Sequence, residues 1–235
     1  MFIDKSMTTD VMTVDPETSI AEACGLLTRT RIRHLPVIEE DGRLVGIVTD
    51  RDLRSAMPSI LLNEEIAEEE KRRIAQLKVK DIMTRNVVTI SPMNTLEDAL
   101  LLMQRTRVGA FPVVDRKGKL IGIISVRDLM RAFINVLGIE EPGTLLCIVV
   151  EDKLGQMKRI VDAITEERIS FGSILVARHW EEGKRAVFPY LLTSNVARAK
   201  AKLESLGFTL LNPMQWSLDQ LPKRTEKQAK PVSSS

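Results

Sequence analysis

Gly46-Ile47-Val48-Thr49-Asp50-Arg51-Asp52 returns 76 positions later in the chain as Gly122-Ile123-Ile124-Ser125-Val126-Arg127-Asp128. In both copies, apolar β-branched residues lead to a hydroxyl and then to Arg-Asp, which predicts a strand that turns directly into a helix. Such a corner gathers a hydroxyl, a guanidinium and a carboxylate at a helix N-terminus, where backbone N–H groups favour a phosphate. The sequence therefore predicts two related corners that face a ligand.

The corners belong to a longer internal repeat. Residues 7–56 align without a gap on residues 83–132, and a fixed period of this kind predicts one supersecondary unit used twice. Each unit opens with Met-Thr and a short apolar strand that ends at a proline; these strands are Val11–Val14 and Val87–Ile90. A helix with capping-box spacing follows, then a hairpin through a glycine turn, and then a second helix after the corner. One β-α-β-β-α unit is too small to cover both faces of its sheet, so we expect the two units to pack around a pseudo-two-fold axis.

A different unit follows the glycine- and proline-containing break at residues 138–143. Its strand and helix patterns predict the order β-α-β-β-α-β, which is ferredoxin-like. The predicted fold class is therefore α+β, with two βαββα repeats packed as a pair and a C-terminal βαββαβ domain. The predicted boundaries are repeat 1 at 1–62, a charged connecting helix at 63–78, repeat 2 at 79–137, the C-terminal domain at 144–212 and a disordered tail at 222–235.

The charge of the chain argues against nucleic acid as a partner. The formal net charge is +2, but the segment from Pro222 onward has four Lys or Arg and one Glu, which leaves −1 for the rest (2 − 3). Without a broad basic face, a DNA- or RNA-binding role is disfavoured. No apolar run approaches the roughly 18 residues of a membrane span, and the N-terminus lacks the apolar core of a signal peptide, so a cytoplasmic location is expected.

The sequence does not predict catalysis. Its two histidines, His34 and His179, lie in different predicted domains, and no P-loop or paired-carboxylate motif is present. Cys24 and Cys147 lie far apart in apolar patterns, so neither a disulfide nor a zinc site is indicated. We therefore expect a protein that is not an enzyme, requires no cofactor and binds no metal.

The paired units strongly resemble a tandem pair of CBS domains, known as a Bateman module. The resemblance covers about residues 1–137 and rests on the Met-Thr starts, the Leu-Pro-Val and Phe-Pro-Val strand starts and the Gly-x-x-Thr/Ser-x-x-Asp ends, each of which occurs in register. Residues 144–212 resemble an ACT domain, with Leu154 in place of the proline expected at the strand-to-helix turn. The order CBS-CBS-ACT is similar to the acetoin-utilization regulatory protein type of bacteria and archaea.

The resemblance to CBS pairs implies a regulatory protein that senses an adenosine compound in the clefts between the repeats. AMP, ADP or ATP is implied ahead of S-adenosylmethionine, with Asp52 and Asp128 accepting hydrogen bonds from the ribose hydroxyls. The implied phosphate contacts are Thr49, Ser125, Arg33, His34, Arg51 and Arg127. The implied adenine contacts are Thr13, Val14, Leu35, Thr89, Ile90 and Phe111.

The resemblance to an ACT domain implies one of two roles for the C-terminal part. A small effector would bind beside Asp152 and Gly155, or the domain would instead make a dimer contact through its sheet. A homodimer is expected in either case. Ligand binding would be transmitted by rearrangement of the dimer or of the ACT-like domains, to a partner enzyme that the sequence does not name.

The two repeats are unequal at a position that approaches phosphate in CBS families. Repeat 1 has Arg33-His34, which supply cationic or donor groups, whereas repeat 2 has Gly109-Ala110, which supply none. We therefore expect one cleft to bind better than the other.

A second interpretation requires no ligand. Thr49-x-x-Asp52 and Ser125-x-x-Asp128 have the spacing of a capping box, which stabilises a helix by about 1 kcal/mol on its own. On this interpretation the repeats form a dimerisation or scaffold module that docks a partner enzyme. The sequence does not decide between a ligand sensor and a ligand-independent scaffold.

Overall fold

The structure, a computed structural model, describes residues 1–56 and 76–216. Most of the predicted connecting helix at 63–78 and the whole predicted tail at 222–235 lie outside the described residues. The chain divides into two compact units, Met1–Met130 and Arg131–Ser235. Among the described helices, none has both the length and the apolar character needed to span a membrane.

Each repeat has two helices around an antiparallel hairpin. In repeat 1, α1 is Ile20–Thr30, β1 is His34–Ile38, β2 is Leu44–Thr49 and α2 is Asp50–Ala56. A one-turn helix, α3 (Val79–Ile82), precedes repeat 2, where α4 is Leu96–Thr106, β3 is Ala110–Val114, β4 is Leu120–Ser125 and α5 is Val126–Leu137. The two hairpins have equivalent registers, and each shifts register before the last residue of its first strand.

The opening strand predicted for each repeat is longer than the pairing that the structure shows. Only one residue of each forms a parallel bridge to the hairpin, and these bridges are Val14–Val37 and Ile90–Val113. In repeat 1 the pairing stops because Pro16 has no N–H to donate. Asp15 then fixes a turn by accepting a hydrogen bond from the N–H of Glu17 at 2.7 Å. Each repeat is therefore α-β-β-α with a single bridge in front, rather than a full βαββα unit.

The predicted starts of the first helices are confirmed. Ser19 accepts a hydrogen bond from the N–H of Glu22 at 3.2 Å at the start of α1. Thr95 and Asp98 form a complete capping box at the start of α4, through bonds of 2.8 and 3.1 Å. Equivalent sequence positions thus begin equivalent helices in the two repeats.

The segment that leads into each repeat lies against the other repeat. We call these segments arm 1 (residues 1–8) and arm 2 (residues 77–84). In arm 1, the N–H of Thr8 donates to the carbonyl of Ile123 and the N–H of Ile123 donates to that of Thr8, both at 2.9 Å. Thr84 of arm 2 forms the same pair of bonds with Ile47, at 2.9 and 3.0 Å. The two repeats have therefore exchanged their arms.

Each arm also supplies a core residue. Ile3 of arm 1 and Val79 of arm 2 are equivalents in the repeat, and both are 0% exposed. Val79 packs among the buried residues of repeat 1, with α1 and the hairpin. Burying one aliphatic side chain stabilises a fold by about 1.5 to 3 kcal/mol. The exchange of arms thus makes the stability of each repeat depend on the other.

A glycine on the second strand of each hairpin leaves room for an arm. A Cβ placed on Gly122 of β4 would lie 2.6 Å from Sδ of Met7 and 3.1 Å from the carbonyl oxygen of Thr8. Gly46 of β2 faces Met83 and Thr84 in the same way. A side chain at either position would therefore push the arm away from the strand.

Gly122→Ala is expected to lower the free energy of unfolding by about 1 to 3 kcal/mol, because the added methyl group overpacks this contact. Urea denaturation followed by circular dichroism measures the change. Gly25→Ala is the matched control, since a Cβ at Gly25 would meet nothing nearer than Arg29 at 3.6 Å. Because alanine favours a helix over glycine, that control should stabilise α1 by about 0.5 to 1 kcal/mol. An unchanged Gly122→Ala protein would contradict the docking of arm 1 on β4.

The second unit is one antiparallel sheet with two helices. Its elements are β5 (Gly143–Glu151), α6 (Gln156–Thr165), β6 (Phe171–Glu181), β7 (Lys184–Leu191), α7 (Ala197–Ser205) and β8 (Thr209–Trp216). The strands lie side by side in the order β6-β7-β5-β8, and every neighbouring pair is antiparallel. The elements occur along the chain in the predicted order.

The core of the second unit lies between its sheet and its helices. Alternate residues of β5, namely Leu146, Ile148 and Val150, are buried and pack with Ile160 of α6 and Leu203 of α7. Alternation follows from the two-residue period of a strand, which sends successive side chains to opposite faces. Ile160 and Leu203 thus lie on the helix faces that cover the sheet.

Candidate functional site

In the first corner, the carboxylate of Asp52 turns back onto the end of β2. Its Oδ2 accepts two hydrogen bonds from Thr49, one from the backbone N–H at 2.9 Å and one from the hydroxyl at 2.7 Å. The N–H of Asp52 donates back to Oγ1 of Thr49 at 3.3 Å. These three bonds form a capping box that begins α2.

The second corner repeats this geometry. Oδ2 of Asp128 accepts hydrogen bonds from the N–H of Ser125 at 2.9 Å and from its hydroxyl at 2.6 Å. The N–H of Asp128 donates to Oγ of Ser125 at 3.4 Å. Asp128 is buried, whereas Asp52 is half-buried. The first corner is therefore the more accessible of the two.

The capping boxes restrict what the two hydroxyls can do. A hydroxyl has a single hydrogen, and those of Thr49 and Ser125 are directed at the carboxylates. With these bonds in place neither hydroxyl has a second hydrogen to donate to a phosphate, and their role as phosphate donors stays a prediction. Oδ1 of Asp52, in contrast, accepts no hydrogen bond from the described residues.

The predicted cationic contacts lie on the surface. Arg33, Arg51 and Arg127 are all exposed, and none of them forms an ion pair with a described residue. An anionic ligand near the corners can therefore bind these guanidinium groups without breaking an existing pair. Their phosphate contacts stay predictions.

Two of the six predicted adenine contacts lie in the core. Leu35 and Phe111 are 0% exposed, because each is the second residue of a hairpin strand whose side chains are covered by the repeat. Neither has exposed surface in this structure, and their contact with adenine stays a prediction. Val14 and Ile90 are also buried, whereas Thr13 and Thr89 are half-buried and have surface to offer a base.

His34 joins the first corner to the second repeat. It begins β1 and pairs with Thr49 across the hairpin. A Cβ placed on Gly109 would lie 3.4 Å from both Cε1 and Nε2 of the imidazole, so the ring lies against the backbone of repeat 2. The pKa of His34 is lowered, and burial of the ring is the largest cause. The charge of Asp50 opposes this shift, Arg33 adds to it and Asp52 opposes it, in decreasing order of effect.

Asp50 is a residue of this site that sequence reasoning missed. Its carboxylate forms an ion pair with Arg54 at 2.7 Å, and its charge raises the pKa of His34. Its N–H donates to the carbonyl of Arg33 at 3.1 Å. The equivalent residue in repeat 2 is Val126. A comparison of the two copies at this position would have identified the extra carboxylate.

The two predicted ACT effector residues lie at the turn between β5 and α6. Asp152 forms an ion pair with Arg185 at 2.5 Å, and Gly155, in the left-handed conformation with φ 87°, precedes α6. An open depression of about 430 Å³ is lined by Asp152, Arg178, Trp180, Glu181, Glu182 and Lys184, but not by Gly155. Leu154, which replaces the expected proline, is fully exposed. In the part of the chain that the structure describes, no cluster of His, Cys, Asp and Glu is placed to hold a metal ion.

Known sequences match the repeats. The CBS domain family model matches residues 3–59 and 79–135, one match in each repeat. A CBS domain-containing protein of Dictyostelium discoideum is 38% identical over 137 residues, which are 58% of this chain and 94% of that protein. Inosine-5′-monophosphate dehydrogenase of Methanocaldococcus jannaschii is 37% identical over 128 residues, which are 54% of this chain but 23% of the enzyme. The match therefore leaves most of that enzyme without a counterpart here.

Solved structures match the same region. A crystal structure named as an acetoin utilization protein (AcuB) of Vibrio cholerae is 26% identical, covers 59% of this chain and 94% of its own, and gives a TM-score of 0.50. CBSX2 of Arabidopsis thaliana, in complex with AMP, is 32% identical over 57% of this chain and 96% of its own, with a TM-score of 0.48. The predicted tandem pair is confirmed, and this chain belongs to the CBS domain family.

Proposed function

We propose that the CBS pair is a non-catalytic regulatory module that binds an adenosine compound at the junction of its two repeats. One observation supports this above all. The same corner, with a hydroxyl and a carboxylate at a helix start, is built twice within one compact unit, and in both copies an exposed arginine precedes the aspartate. Membership of the CBS domain family supports a regulatory role.

The charges near the corners favour a phosphorylated ligand. Arg33, Arg51 and Arg127 are exposed cations without an ion pair to a described residue, whereas S-adenosylmethionine carries a positive sulfonium that they would repel. Oδ1 of Asp52 can accept a hydrogen bond from a ribose hydroxyl, and a charged acceptor makes such a bond stronger than a neutral one. AMP, ADP and ATP are therefore proposed ahead of S-adenosylmethionine.

The two corners are proposed to bind with unequal affinity. The first has Arg33, His34 and a half-buried Asp52, whereas the second has Gly109, Ala110 and a buried Asp128. More donors and easier access both favour the first corner. Equal affinities at the two corners would contradict this proposal.

Calorimetric titration of the full chain tests the proposed function. AMP, ADP, ATP, S-adenosylmethionine and adenosine are each added in turn, and saturable heat is expected with at least one phosphorylated compound. A ligand at 100 times its Kd should also raise the free energy of unfolding by about 2.7 kcal/mol, which a thermal melt detects. The absence of heat and of a thermal shift with all five compounds would overturn the proposal.

A ligand-independent scaffold is the alternative. Both corners complete their main hydrogen bonds internally, and Leu35 and Phe111 lie in the core, so neither corner needs a ligand to be stable. On this alternative the repeats support dimerisation and the docking of a partner enzyme. The two functions differ in whether the aspartates affect affinity as well as stability.

We also propose that the C-terminal unit is an ACT-like domain and that the protein is a homodimer. The β-α-β-β-α-β order and the antiparallel sheet support the first proposal, while the exposed Leu154 departs from the family pattern. Sedimentation of the full chain with and without AMP measures the oligomeric state and any change in it. A role in acetoin utilization and a cytoplasmic location stay predictions.

A further inference from the structure

The imidazole of His34 lies where the two repeats meet. His34 starts β1 in repeat 1, yet its ring lies against Gly109, the residue before β3 in repeat 2. The equivalent of Gly109 in repeat 1 is Arg33, a long cation. A Cβ at Gly109 would be in ordinary van der Waals contact with the ring at 3.4 Å, so the imidazole lies directly beside the backbone of repeat 2.

The two ring nitrogens of His34 are available to form hydrogen bonds with a ligand. Across residues 1–56 and 76–216, its two nitrogens form no hydrogen bond with a protein group, and the side chain is half-buried. An imidazole can donate from one nitrogen when neutral and from both when charged. A phosphate oxygen beside this ring would therefore gain a donor in either state, and a cation as well if the ring takes up a proton.

The charges that face the ring come from its own strand and from α2. Arg33 precedes it, Asp50 and Asp52 lie on α2, and Gly109 brings no charge from repeat 2. Asp50 is already paired with Arg54, and Oδ2 of Asp52 is bonded to Thr49. Burial has the largest effect and lowers the pKa of His34, so the ring is neutral at pH 7 when no ligand is bound.

We infer that His34, held against Gly109, takes up a proton from solvent when a phosphorylated ligand binds beside it, and that this makes the site prefer phosphorylated over unphosphorylated adenosine compounds. The inference rests on the proposed function, since it assigns a regulation to the same site. A neighbouring anion stabilises the charged imidazole and raises its pKa. The bound form then holds more protons than the free form. By linkage, binding of a phosphorylated ligand tightens as the pH falls from about 8 towards 6.

Nuclear magnetic resonance of the full chain reads this proton directly. The sequence has two histidines, so a sample labelled in histidine gives two ring signals, and His34→Gln identifies which belongs to His34. Without ligand, we expect the His34 signal to titrate below 6.5, its ordinary pKa. Saturating AMP should raise that midpoint, whereas adenosine should not. The His179 signal is the internal control and should not change.

Affinity provides a second readout with a matched variant. The ratio of AMP affinity to adenosine affinity is measured at pH 8 and at pH 6. In His34→Gln this ratio reports the change in charge of AMP alone, and in wild type it should rise by roughly 3-fold more than in that variant. His179→Gln should retain the wild-type rise. Arg33 is unchanged in all three proteins, so a difference between wild type and His34→Gln is attributable to the imidazole.

Three outcomes separate the inference from the proposed function. A rise in the His34 midpoint with AMP and not with adenosine supports the inference. Binding of AMP that leaves the midpoint unchanged, or an equal rise with adenosine, overturns the inference and leaves the proposed function standing. The absence of any spectral change, calorimetric heat or thermal shift with AMP, ADP, ATP, S-adenosylmethionine and adenosine overturns both.

Discussion

Ile3→Ala is expected to lower the free energy of unfolding by about 2 to 5 kcal/mol, although the residue lies third in the chain. Its side chain is 0% exposed, and its N–H donates to the carbonyl of Asn94 at 2.9 Å, so arm 1 is part of the structure of repeat 2. Truncation to alanine removes buried methyl groups and leaves a cavity. Val79→Ala in arm 2 should act in the same direction with a smaller loss, because valine is one methylene shorter. Urea denaturation followed by circular dichroism measures both.

Lys5→Ala is the control for this prediction. Lys5 lies on the same arm, its side chain is 75% exposed, and its ion pair with Asp4 at 3.6 Å is on the surface. Substitutions at such positions usually change stability by less than about 0.5 kcal/mol. A loss in Lys5→Ala as large as that in Ile3→Ala would mean that arm 1 responds to any change rather than to the lost burial. Unchanged stability in Ile3→Ala would contradict the exchange of arms.

Asp52→Asn is expected to weaken binding of the tightest phosphorylated adenosine ligand by about 10- to 100-fold, which corresponds to about 1.4 to 2.8 kcal/mol. The substitution replaces the carboxylate oxygen proposed to face the ribose by an amide NH2, which donates instead of accepting. Asparagine retains a carbonyl oxygen that can accept the N–H of Thr49, so much of the helix cap remains. Asp128→Asn should have a smaller effect, because the second corner has fewer donors. Calorimetric titration measures both affinities.

Asp98→Asn separates ligand binding from helix capping. Asp98 caps α4 with the same geometry, accepting the N–H of Thr95 at 2.8 Å, but it is exposed and belongs to no predicted site. It should therefore lose a similar amount of stability while leaving ligand affinity as in wild type. If all three asparagine variants change stability alike and none changes affinity, the corners act as caps alone and the scaffold interpretation holds.

Local patterns in the sequence predicted most of the elements. Ser19 and Thr95 begin helices as their capping-box spacing indicates, and the hairpins turn at Gly42 and Gly118, both with positive φ. In the second unit, the strand and helix patterns predicted the element order. These features could be predicted because each depends on residues within one turn of helix or one strand.

Features that depend on how the repeats pack were not predictable in this way. Ile3 belongs to a segment with no helical or strand period, so nothing local indicates that repeat 2 buries it. Leu35 and Phe111 lie in apolar strands whose pattern marks burial but does not separate a core from a ligand surface. At Val14, the local strand propensity was overruled by Pro16, which ends the pairing after one bridge. The role of Gly109 appears only when His34 from the other repeat is placed against it.

The exchange of arms also determines how such a pair can assemble. A chain with a single repeat could bury its arm only against a second molecule, so its folding would depend on protein concentration. Joining two repeats in one chain makes the docking intramolecular, so it does not depend on protein concentration. The surface that a single repeat would use for self-association is then occupied by the other repeat of the same chain. Contacts with other molecules must therefore use other surfaces.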